Sequence, residues 1–541
     1  MAWGIRKTLG QVLEATAIKY PLNIAVKDPE HCYTYRELNR LSDDMAKGFL
    51  AMGIRKGTHV GIFAGNTATN VCTFFALWKI GAVVCPICTT YSRYEVEHCI
   101  ECADITHMIT GMAPGGHCED LCSNFKHQVR LISQREFDEY TKKGSSMSDI
   151  ELNGYKLQVT CDDDDTILFS SGTTGKSKPV LTSHFNRVTT AHFQAKTLKA
   201  TARDRYVAAL PMYHCFSITA IVLAAVSVGA MICIPADKHA RTILQMIEDE
   251  GCTILTAVPT LYASILRRYE EGDYDVSTLR TGMIGGAPYF PEFFRELCEK
   301  LDFTLLPSLG ATEATAGITA GKLNDSLELR STSLGKPFPH VLCKVVDPAT
   351  GEELPIGEKG ELCVKGYNIM RGYYKMPEAT ANSFIDGCWF RTGDLVRKDE
   401  NGVLYYLGRL KELIIRGGEN IIPREVEDMI AQDERVSQVK VIGVPDPHYG
   451  EEVCAVIVKA VDAAENSDAD GKDADAVTPA DINDEEVREI VRRQAASFKV
   501  PKYVIFLKEF PLNSVGKTDI KGMKEMARKT LALDRHRDIK L

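Results

Sequence analysis

The sequence has no hydrophobic run long enough to cross a membrane and no excess of positive charge. The longest apolar stretch, about residues 218–235, is interrupted by Ser227 and Gly229, which indicates a buried helix followed by a strand. The N-terminus lacks the apolar core of a secretory signal, and the C-terminal residues 539–541 lack the small residue of a peroxisomal signal. A net charge of −9 argues against nucleic acid as a partner. We therefore expect a cytoplasmic protein.

Disulfide bonds are not expected either, although the chain has 17 cysteines. The cysteines are spread along the sequence of a chain without an export signal, which is typical of reduced thiols. One cluster has metal-ligand character, but the spacing between its two Cys-x2-Cys pairs is shorter than in the usual zinc sites. The members of this cluster are Cys85, Cys88, Cys99, Cys102, Cys118 and Cys122, with His98 and His117 nearby. We expect thiols here and no zinc.

The length and the periodicity of the chain predict an α/β protein with more than one domain. At 541 residues the chain exceeds the size that a single hydrophobic core usually serves. Helix-periodic runs alternate with short β-prone runs up to about residue 340, which indicates βαβ units and parallel sheets. Strands and hairpins are predicted beyond Val341, and a smaller α+β unit beyond Lys411. Residues 461–480 are acidic without an apolar period, and we predict a solvated loop of no assigned function.

The run Ser170–Lys178 has the composition of a polyphosphate-binding loop. Two glycines let the backbone approach an anion, several hydroxyls add hydrogen-bond donors, and lysines offset phosphate charge. The end of the run fits the pattern of nucleoside triphosphatases, which need a helix to begin at the lysine. Here Pro179 disfavours a helix at Lys178, and the residues that follow are β-prone. The sequence therefore predicts a strand–loop–strand hairpin.

Read as a hairpin, this segment resembles the phosphate loop of the adenylate-forming superfamily, which contains acyl-CoA synthetases, peptide-synthetase adenylation domains and luciferases. The other motifs of that family follow in order along nearly the whole chain. They are Leu210-Pro211-Met212-Tyr213-His214, Gly285-Gly286-Ala287-Pro288, Gly310-Ala311-Thr312-Glu313, the structural stretch Gly360-Glu361-Leu362 with Gly366 and Gly372-Tyr373, Trp389-Phe390-Arg391-Thr392-Gly393-Asp394, Gly408-Arg409-Leu410-Lys411-Glu412 and Pro511-Leu512-Asn513-Ser514-Val515-Gly516-Lys517. The chain is identified as a member of this superfamily on these residues, and it is most similar to AMP-forming fatty acyl-CoA ligases.

The resemblance implies a binding site for ATP and Mg²⁺. Glu313 would ligate Mg²⁺, Asp394 would accept hydrogen bonds from both ribose hydroxyls, and Lys517 would lie beside the carboxylate and the α-phosphate. Glu313, Lys517 and Thr173 are the predicted catalytic residues. The predicted ATP- and AMP-binding residues are Ser171, Gly172, Thr173, Thr174, Gly175, Lys178, Gly285, Gly286, Ala287, Pro288, Leu309, Gly310, Thr312, Asp394, Arg409 and Lys517. Leu309 replaces the usual tyrosine, which predicts weaker stacking on adenine by about 1 kcal/mol.

The resemblance also implies an acyl pocket and a hinge. His214, Phe216, Gly310 and Ala311 are predicted to line the pocket. Lys411, Gly417 and Gly418 are predicted at the hinge and the CoA tunnel. The implied fold is a large N-terminal domain, residues 1–409, with two doubly wound βαβ subdomains and a β-rich subdomain. A small mobile α+β domain, residues 410–541, follows.

We expect an acid–CoA ligase that uses ATP and Mg²⁺ to activate a carboxylic acid as an acyl-adenylate and then transfers the acyl group to CoA. The stretch Ile414–Ile421 is similar to that of medium- and long-chain fatty acid ligases. An aryl-CoA ligase and a stand-alone adenylation enzyme that loads a carrier protein remain as alternatives, and so does a non-catalytic binding protein. No aspartate follows His214 to hold an amino group, which argues against amino-acid adenylation. A homodimer is left open.

Overall fold

The computed structural model describes residues 4–110, 125, 129–132, 142, 144, 146–170, 177–417, 419–460, 482–512 and 518–531. The chain forms two compact units. The first comprises Met1–Lys344, Cys363–Thr392 and Asp399–Leu404, and the second comprises Val345–Leu362, Gly393–Lys398 and Tyr405–Leu541. The domain boundary after residue 409 stays a prediction.

The first unit contains a nine-stranded sheet whose central six strands are parallel. Its strands, in spatial order, are Lys336–Pro337, Thr319–Ala320, Thr304–Leu309, Thr281–Gly285, Ile254–Leu255, Arg205–Val207, Met231–Cys233, Ile24–Lys27 and Cys32–Thr34. The outermost strands pair antiparallel with their neighbours. Strands in the sheet interior are short and almost continuously apolar, as expected where helices cover both faces.

A second sheet of seven strands completes the first unit. Its strands, in spatial order, are Gly372–Tyr373, Lys178–Ser183, Asp164–Ser170, Val83–Pro86, His59–Phe63, His107–Thr110 and Arg130–Ile132. The last five strands are parallel, whereas Lys178–Ser183 is antiparallel to both of its neighbours. The two largely parallel sheets confirm the predicted α/β architecture.

Helices connect the strands of both sheets. Most begin with a side-chain cap; Thr34, for example, accepts a hydrogen bond from the Glu37 N–H. The α-helices of the first unit are Leu9–Lys19, Tyr35–Ala51, Ala68–Lys79, Arg93–Cys102, Asp149–Lys156, His184–Thr197, Ala224–Val228, Ala240–Glu250, Pro259–Glu270, Pro291–Lys300, Leu327–Thr332 and Pro377–Ala381. A π-helix, Phe216–Leu223, precedes Ala224–Val228, and Thr312–Ala314 is a 3₁₀ turn. In the described part of the chain, no helix is long and apolar enough to cross a membrane.

Strands dominate the region from residue 342 to residue 409, as predicted. They are Leu342–Val346, Lys359–Lys365, Phe384–Ile385, Trp389–Lys398 and Leu404–Arg409. Asn401-Gly402, a dipeptide typical of hairpin turns, lies between the last two of these strands. The Asp399 carboxylate accepts hydrogen bonds from the Asn401 and Val403 N–H groups, and the Asp399 N–H donates to the Val403 carbonyl at 3.0 Å.

The second unit has its own five-stranded sheet. Four strands lie in the order Glu419–Ile421, Ile414–Arg416, Gly450–Lys459 and Val436–Asp446, and Tyr503–Leu507 pairs parallel with Gly450–Lys459. The helices are Pro423–Ile430, Asp484–Arg492 and Ile520–Thr530, with 3₁₀ turns at Leu410–Glu412 and Ser497–Lys499. This confirms the predicted α+β unit after Lys411. The predicted acidic loop at 461–480 lies outside the described residues.

Candidate active site

Three of the predicted site segments lie at one edge of the nine-stranded sheet. Gly285–Pro288 begins at the end of strand Thr281–Gly285, and Leu309–Glu313 begins at the end of strand Thr304–Leu309. These strands are parallel neighbours in which Gly285 pairs with Ser308. The segment 208–216 follows the parallel strand Arg205–Val207. Because parallel strands present their carboxyl ends at the same edge, the sheet gathers the segments predicted to bind adenine, phosphate and the acyl group.

Two positions in these segments, Gly310 and Gly286, require glycine. A Cβ atom on Gly310 would lie 2.6 Å from the backbone carbonyl carbon of Ala316, closer than atoms can pack. Gly286 has a φ of +84°, a conformation that L residues rarely adopt. The two glycine-containing motifs therefore have a steric basis at this sheet edge.

The predicted acyl-pocket segment is held by a side chain that the sequence analysis missed. The Asn66 amide donates hydrogen bonds to the carbonyls of Ala208, at 3.2 Å, and Leu210, at 2.8 Å. It also accepts one from the Met212 N–H at 2.9 Å. Asn66 follows strand His59–Phe63 of the seven-stranded sheet, so this single amide ties the carboxyl edges of the two sheets together. A lone asparagine 142 positions away in sequence gives no signal of such a role.

His214 and Phe216 follow in sequence the residues that Asn66 holds. The His214 ring is 4.8 Å from the Tyr213 ring, centroid to centroid. Phe216 is the first residue of the π-helix, a rare geometry that is frequent at functional sites. The Cys215 Sγ lies 3.8 Å from the Thr312 Oγ1, so the acyl-pocket segment contacts the segment that contains Thr312 and Glu313. Ala311 is half-buried directly before the 3₁₀ turn.

The predicted hairpin around the phosphate loop is confirmed. Strands Asp164–Ser170 and Lys178–Ser183 pair antiparallel, with Ser170 opposite Lys178. Behind the loop the hairpin is fixed by a fully buried network. Arg187 forms an ion pair with Asp165 and donates to the Thr182 Oγ1 at 2.7 Å, while the Thr182 hydroxyl donates to Asp165 at 2.7 Å. A buried charge that is paired and hydrogen-bonded on several sides holds its neighbours in one arrangement.

Tyr373 contacts both Glu313 and Lys178. The Tyr373 hydroxyl donates a hydrogen bond of 3.0 Å to the Glu313 Oε1, and the Met370 N–H donates one of 2.8 Å to the Glu313 carbonyl. The Lys178 Nζ lies 4.8 Å from the centroid of the Tyr373 ring. Burial, together with the Glu313 carboxylate, raises the pKa of the Tyr373 hydroxyl, which keeps it protonated as a donor.

The Glu313 carboxylate fits the needs of Mg²⁺. This ion usually binds through one or two protein carboxylates and completes its shell with substrate phosphates and water. Within the described residues, no cluster of three His, Cys, Asp or Glu side chains could form an all-protein metal site. A single carboxylate beside a phosphate hairpin is therefore suited to Mg²⁺ that arrives with a nucleotide.

In the second unit, Asp394 and Arg409 form an ion pair. The Arg409 Nε lies 3.0 Å from the Asp394 Oδ1, and the Asp394 side chain is only 4% exposed. The Asp394 carboxylate, against the opposing effect of burial, raises the pKa of Arg409. The preceding residue, Gly393, donates its N–H to the buried Glu361 carboxylate at 3.1 Å. Two adjacent strands thus present one oriented, buried carboxylate, as the ribose motif requires.

The predicted hinge residue Lys411 lies in the 3₁₀ turn Leu410–Glu412, two residues after Arg409. Burial, followed by the charge of Arg409, lowers the pKa of Lys411. Gly417 has a φ of +59° and donates its N–H to the Tyr449 carbonyl at 2.8 Å, so it forms a tight turn between two strands. Ile415, in the strand before Gly417, is 55% exposed.

Several predicted site residues lie outside the described part of the chain. These are Ser171, Gly172, Thr173, Thr174 and Gly175 of the phosphate loop, Gly418 of the hinge region, and Lys517. Cys118, Cys122 and His117 of the cysteine cluster lie outside it as well. The roles assigned to all these residues stay predictions.

The AMP-binding enzyme family matches residues 13–374, and the AMP-binding enzyme C-terminal domain matches residues 425–517. The chain is 34% identical to the putative acyl-CoA synthetase YngI of Bacillus subtilis (strain 168), with 96% of each chain covered. It is 28% identical to the mitochondrial medium-chain acyl-CoA ligase ACSF2 of Bos taurus, with 97% of this chain and 88% of the relative covered.

A solved structure of similar fold is that of ATP-bound MatB from Rhodopseudomonas palustris. It has a TM-score of 0.84 and 26% identity, with 97% of this chain and 100% of that chain covered. Both domains of the family are therefore present, in this order along the chain. The matches cover nearly the full length of these relatives. The chain belongs to the AMP-binding enzyme family, the adenylate-forming superfamily whose motifs it contains.

Proposed function

We propose that the protein is an AMP-forming acid–CoA ligase that activates a medium- or long-chain fatty acid. One observation carries this proposal. The segment with Thr312 and Glu313 contacts the acyl-pocket segment through Cys215 and the phosphate hairpin through Tyr373 and Lys178. A carboxylic acid and the phosphates of ATP would therefore be bound by adjoining parts of one sheet edge.

In the first step, a carboxylate oxygen attacks the α-phosphorus of ATP. The bond from that phosphorus to the oxygen bridging to the β-phosphorus breaks, and pyrophosphate leaves with the electron pair. Lys178 and the donors of the phosphate loop offset the charge that builds up on the departing phosphates. Glu313 would hold Mg²⁺, which supplies further neutralisation of that charge when bound. Asp394, oriented by Arg409, would accept hydrogen bonds from the ribose hydroxyls.

In the second step, the thiolate of CoA attacks the acyl carbon of the adenylate. A carbon–sulfur bond forms, the carbon–oxygen bond to AMP breaks, and AMP leaves as the anion. The superfamily separates the two steps by a rotation at the hinge, and Lys411 occupies the hinge position. Gly417 and Gly418 would leave room for the pantetheine arm of CoA.

The choice of acid rests on the apolar residues around the acyl segment and on the relatives. Tyr213 and Phe216 are large and apolar, and Ile218 lies on the next turn. The relative ACSF2 is named a medium-chain acyl-CoA ligase, which supports a fatty acid substrate here. A cytoplasmic location stays a prediction, and a homodimer stays open.

The experiment that tests this proposal measures AMP formation from ATP and Mg²⁺ across straight-chain and aromatic acids, with and without CoA. We expect CoA-dependent AMP formation that is fastest with acids of medium or long chain length. A preference for aromatic acids would support the aryl-CoA ligase alternative. Acid-dependent pyrophosphate release that CoA does not change would favour the carrier-loading enzyme and contradict the proposal.

A further inference from the structure

Tyr373 is the one side chain that joins the predicted metal ligand to the phosphate hairpin within the described residues. Its hydroxyl donates to the Glu313 Oε1 at 3.0 Å, and its ring lies beneath the Lys178 ammonium at 4.8 Å. Glu313 and Lys178 belong to the predicted site, whereas Tyr373 belongs to a structural motif and no site role was predicted for it. A single residue with contacts to both groups can set their separation.

The backbone of Tyr373 is itself fixed. Strand Gly372–Tyr373 pairs antiparallel with the hairpin strand, with Tyr373 opposite Val180. The Tyr373 N–H donates to the Thr380 Oγ1 at 2.9 Å, and the residue is 9% exposed. The hydroxyl is therefore presented from a rigid sheet edge, which is what accurate positioning of a neighbouring carboxylate needs.

The same chain segment also holds the Glu313 backbone in place. The Met370 N–H donates to the Glu313 carbonyl at 2.8 Å. Glu313 is thus bound twice by residues 370–373, once through its main chain and once through its carboxylate. In the described part of the chain, the second carboxylate oxygen of Glu313 accepts no protein hydrogen bond.

We propose that Tyr373 is a positioning residue, which fixes the orientation of the Glu313 carboxylate for Mg²⁺ and aligns it with Lys178. This inference rests on the proposed function. Carboxylates that ligate metals are commonly oriented by an outer hydrogen-bond donor, and loss of such a donor weakens metal affinity by about ten- to a hundredfold. The phenolic hydroxyl supplies that donor, and the ring keeps Lys178 next to it.

The test is the substitution Tyr373→Phe, which removes the hydroxyl and retains the ring beneath Lys178. Calorimetry measures ATP affinity across a range of Mg²⁺ concentrations, and thermal unfolding is followed in parallel. We expect the apparent Mg²⁺ affinity in the presence of ATP to fall by about tenfold or more. We expect ATP binding without Mg²⁺ to change little, and kcat at saturating Mg²⁺ to recover most of its value.

The neighbouring residue provides a matched control. The Tyr374 hydroxyl also donates to a carboxylate, Asp104, at 2.9 Å, but among the described residues neither side chain of this pair is hydrogen-bonded to Glu313 or Lys178. Tyr374→Phe removes an equivalent hydrogen bond and should lower thermal stability by a similar amount without a change in Mg²⁺ affinity. Equal effects of the two substitutions on Mg²⁺ affinity would overturn the proposal, because the role of Tyr373 would then be structural only.

A double-mutant cycle tests whether Tyr373 acts through Glu313. In the Glu313→Gln background, the further change Tyr373→Phe should have almost no additional effect on Mg²⁺ affinity. Additive losses would overturn the proposal. If the unsubstituted protein bound ATP with no Mg²⁺ dependence, the proposed function itself would fail. If it showed that dependence and Tyr373→Phe did not alter it, only this inference would fail.

Discussion

At the scale of single residues, Asp394 is the most sharply defined member of the candidate site. It is a buried carboxylate whose position is fixed by Arg409 at 3.0 Å and by the neighbouring Gly393–Glu361 hydrogen bond. Its motif could be identified in the sequence, whereas the hydrogen bond from the adjacent Gly393 N–H to Glu361 could not be predicted. The geometry explains why a carboxylate at this position keeps one orientation before any ligand binds.

The substitution Asp394→Asn should reduce kcat/KM for ATP by about ten- to a hundredfold, because a neutral amide replaces two charge-assisted hydrogen bonds to the ribose. Pyrophosphate release measured at subsaturating ATP checks this. Glu353→Gln, a change at another carboxylate of the second unit, serves as the control and should leave the rate unchanged. An Asp394→Asn enzyme with the original kcat/KM would contradict the ribose role.

The residues that sequence reasoning found are those with a local motif, and those it missed act over long separations. Glu313 and Asp394 lie in short patterns of glycine, threonine and charge. Asn66 and Arg187 belong to no motif, and Tyr373 was not predicted as a site residue. Their partners Met212, Asp165 and Glu313 are 146, 22 and 60 positions away, respectively. Packing between elements that are distant in sequence creates those contacts, so no local pattern could have predicted them.

At the scale of elements, the hairpin and the π-helix show what periodicity can and cannot predict. Pro179 excluded a helix after the phosphate loop, and the antiparallel strands confirm that reasoning. The stretch of about residues 218–235 was correctly predicted as a buried helix followed by a strand, but residues 216–223 form a π-helix in which every position except Phe216 is buried. Without a polar face, the sequence has no period from which a π-helix could be distinguished from an α-helix.

The loop from Gly310 to Gly317 is an element under backbone strain. Thr315 and Ala316 have φ values of 50° and 66°, which residues with a Cβ adopt only when their surroundings enforce it. The fully buried Asn368 helps to hold the loop in this conformation. The Asn368 side-chain amide donates to the Gly317 carbonyl at 2.6 Å, and the Asn368 backbone carbonyl accepts from the Thr315 hydroxyl at 2.7 Å.

Asn368→Ala should therefore lower the free energy of unfolding by about 1–3 kcal/mol and reduce kcat/KM, because the loop that presents Glu313 loses a buried donor. Chemical denaturation and AMP formation measure the two effects. Asn23→Ala is the matched control: its amide donates to the Ala202 and Gly229 carbonyls, and its loss should lower stability alone. Unchanged kcat/KM in Asn368→Ala would argue against a role of this strained loop in positioning Glu313.

The turn after strand Val436–Asp446 predicts a pH dependence in the second unit. Burial opposes ionisation of Asp446, but the Lys502 ammonium and the His448 and Tyr449 N–H groups prevail and lower its pKa to about 2. A lowered folded-state pKa gives stability above the unfolded value of 3.8, which is lost as the pH falls toward 2.

Asp446→Asn should therefore lower the free energy of unfolding of the second unit by about 1–2 kcal/mol at pH 6, because the charged bond to Lys502 at 2.7 Å is lost. The difference from the unsubstituted protein should shrink as the pH is lowered from 4 to 2. Denaturant titrations at several pH values measure it. A difference that stays constant down to pH 2 would contradict this assignment.

At the scale of the whole molecule, the two family domains and the mixed α/β architecture could be predicted from the sequence, because motif order covers nearly the entire chain. The identity of the acid could not, since it depends on the packing of the acyl segment against both sheets. Asn66 and the π-helix, which shape that segment, gave no recognisable signal.

The two half-reactions of the whole enzyme are predicted to depend differently on Lys517. Lys517 is assigned to adenylation and not to thioester formation. Lys517→Ala should slow pyrophosphate release by about a hundredfold or more, because an ammonium beside the α-phosphate is lost. The same variant should still convert a synthetic acyl-adenylate and CoA to acyl-CoA at close to the original rate. Equal losses in both half-reactions would contradict the assignment.

The central claim is that a substrate carboxylate attacks the α-phosphorus of ATP. The most direct test supplies octanoate labelled with ¹⁸O in both carboxylate oxygens and follows the label by mass spectrometry of the products formed with ATP, Mg²⁺ and CoA. The account predicts one ¹⁸O atom in AMP, one in the thioester carbonyl and none in pyrophosphate. Acyl-CoA formed without label in AMP would contradict it.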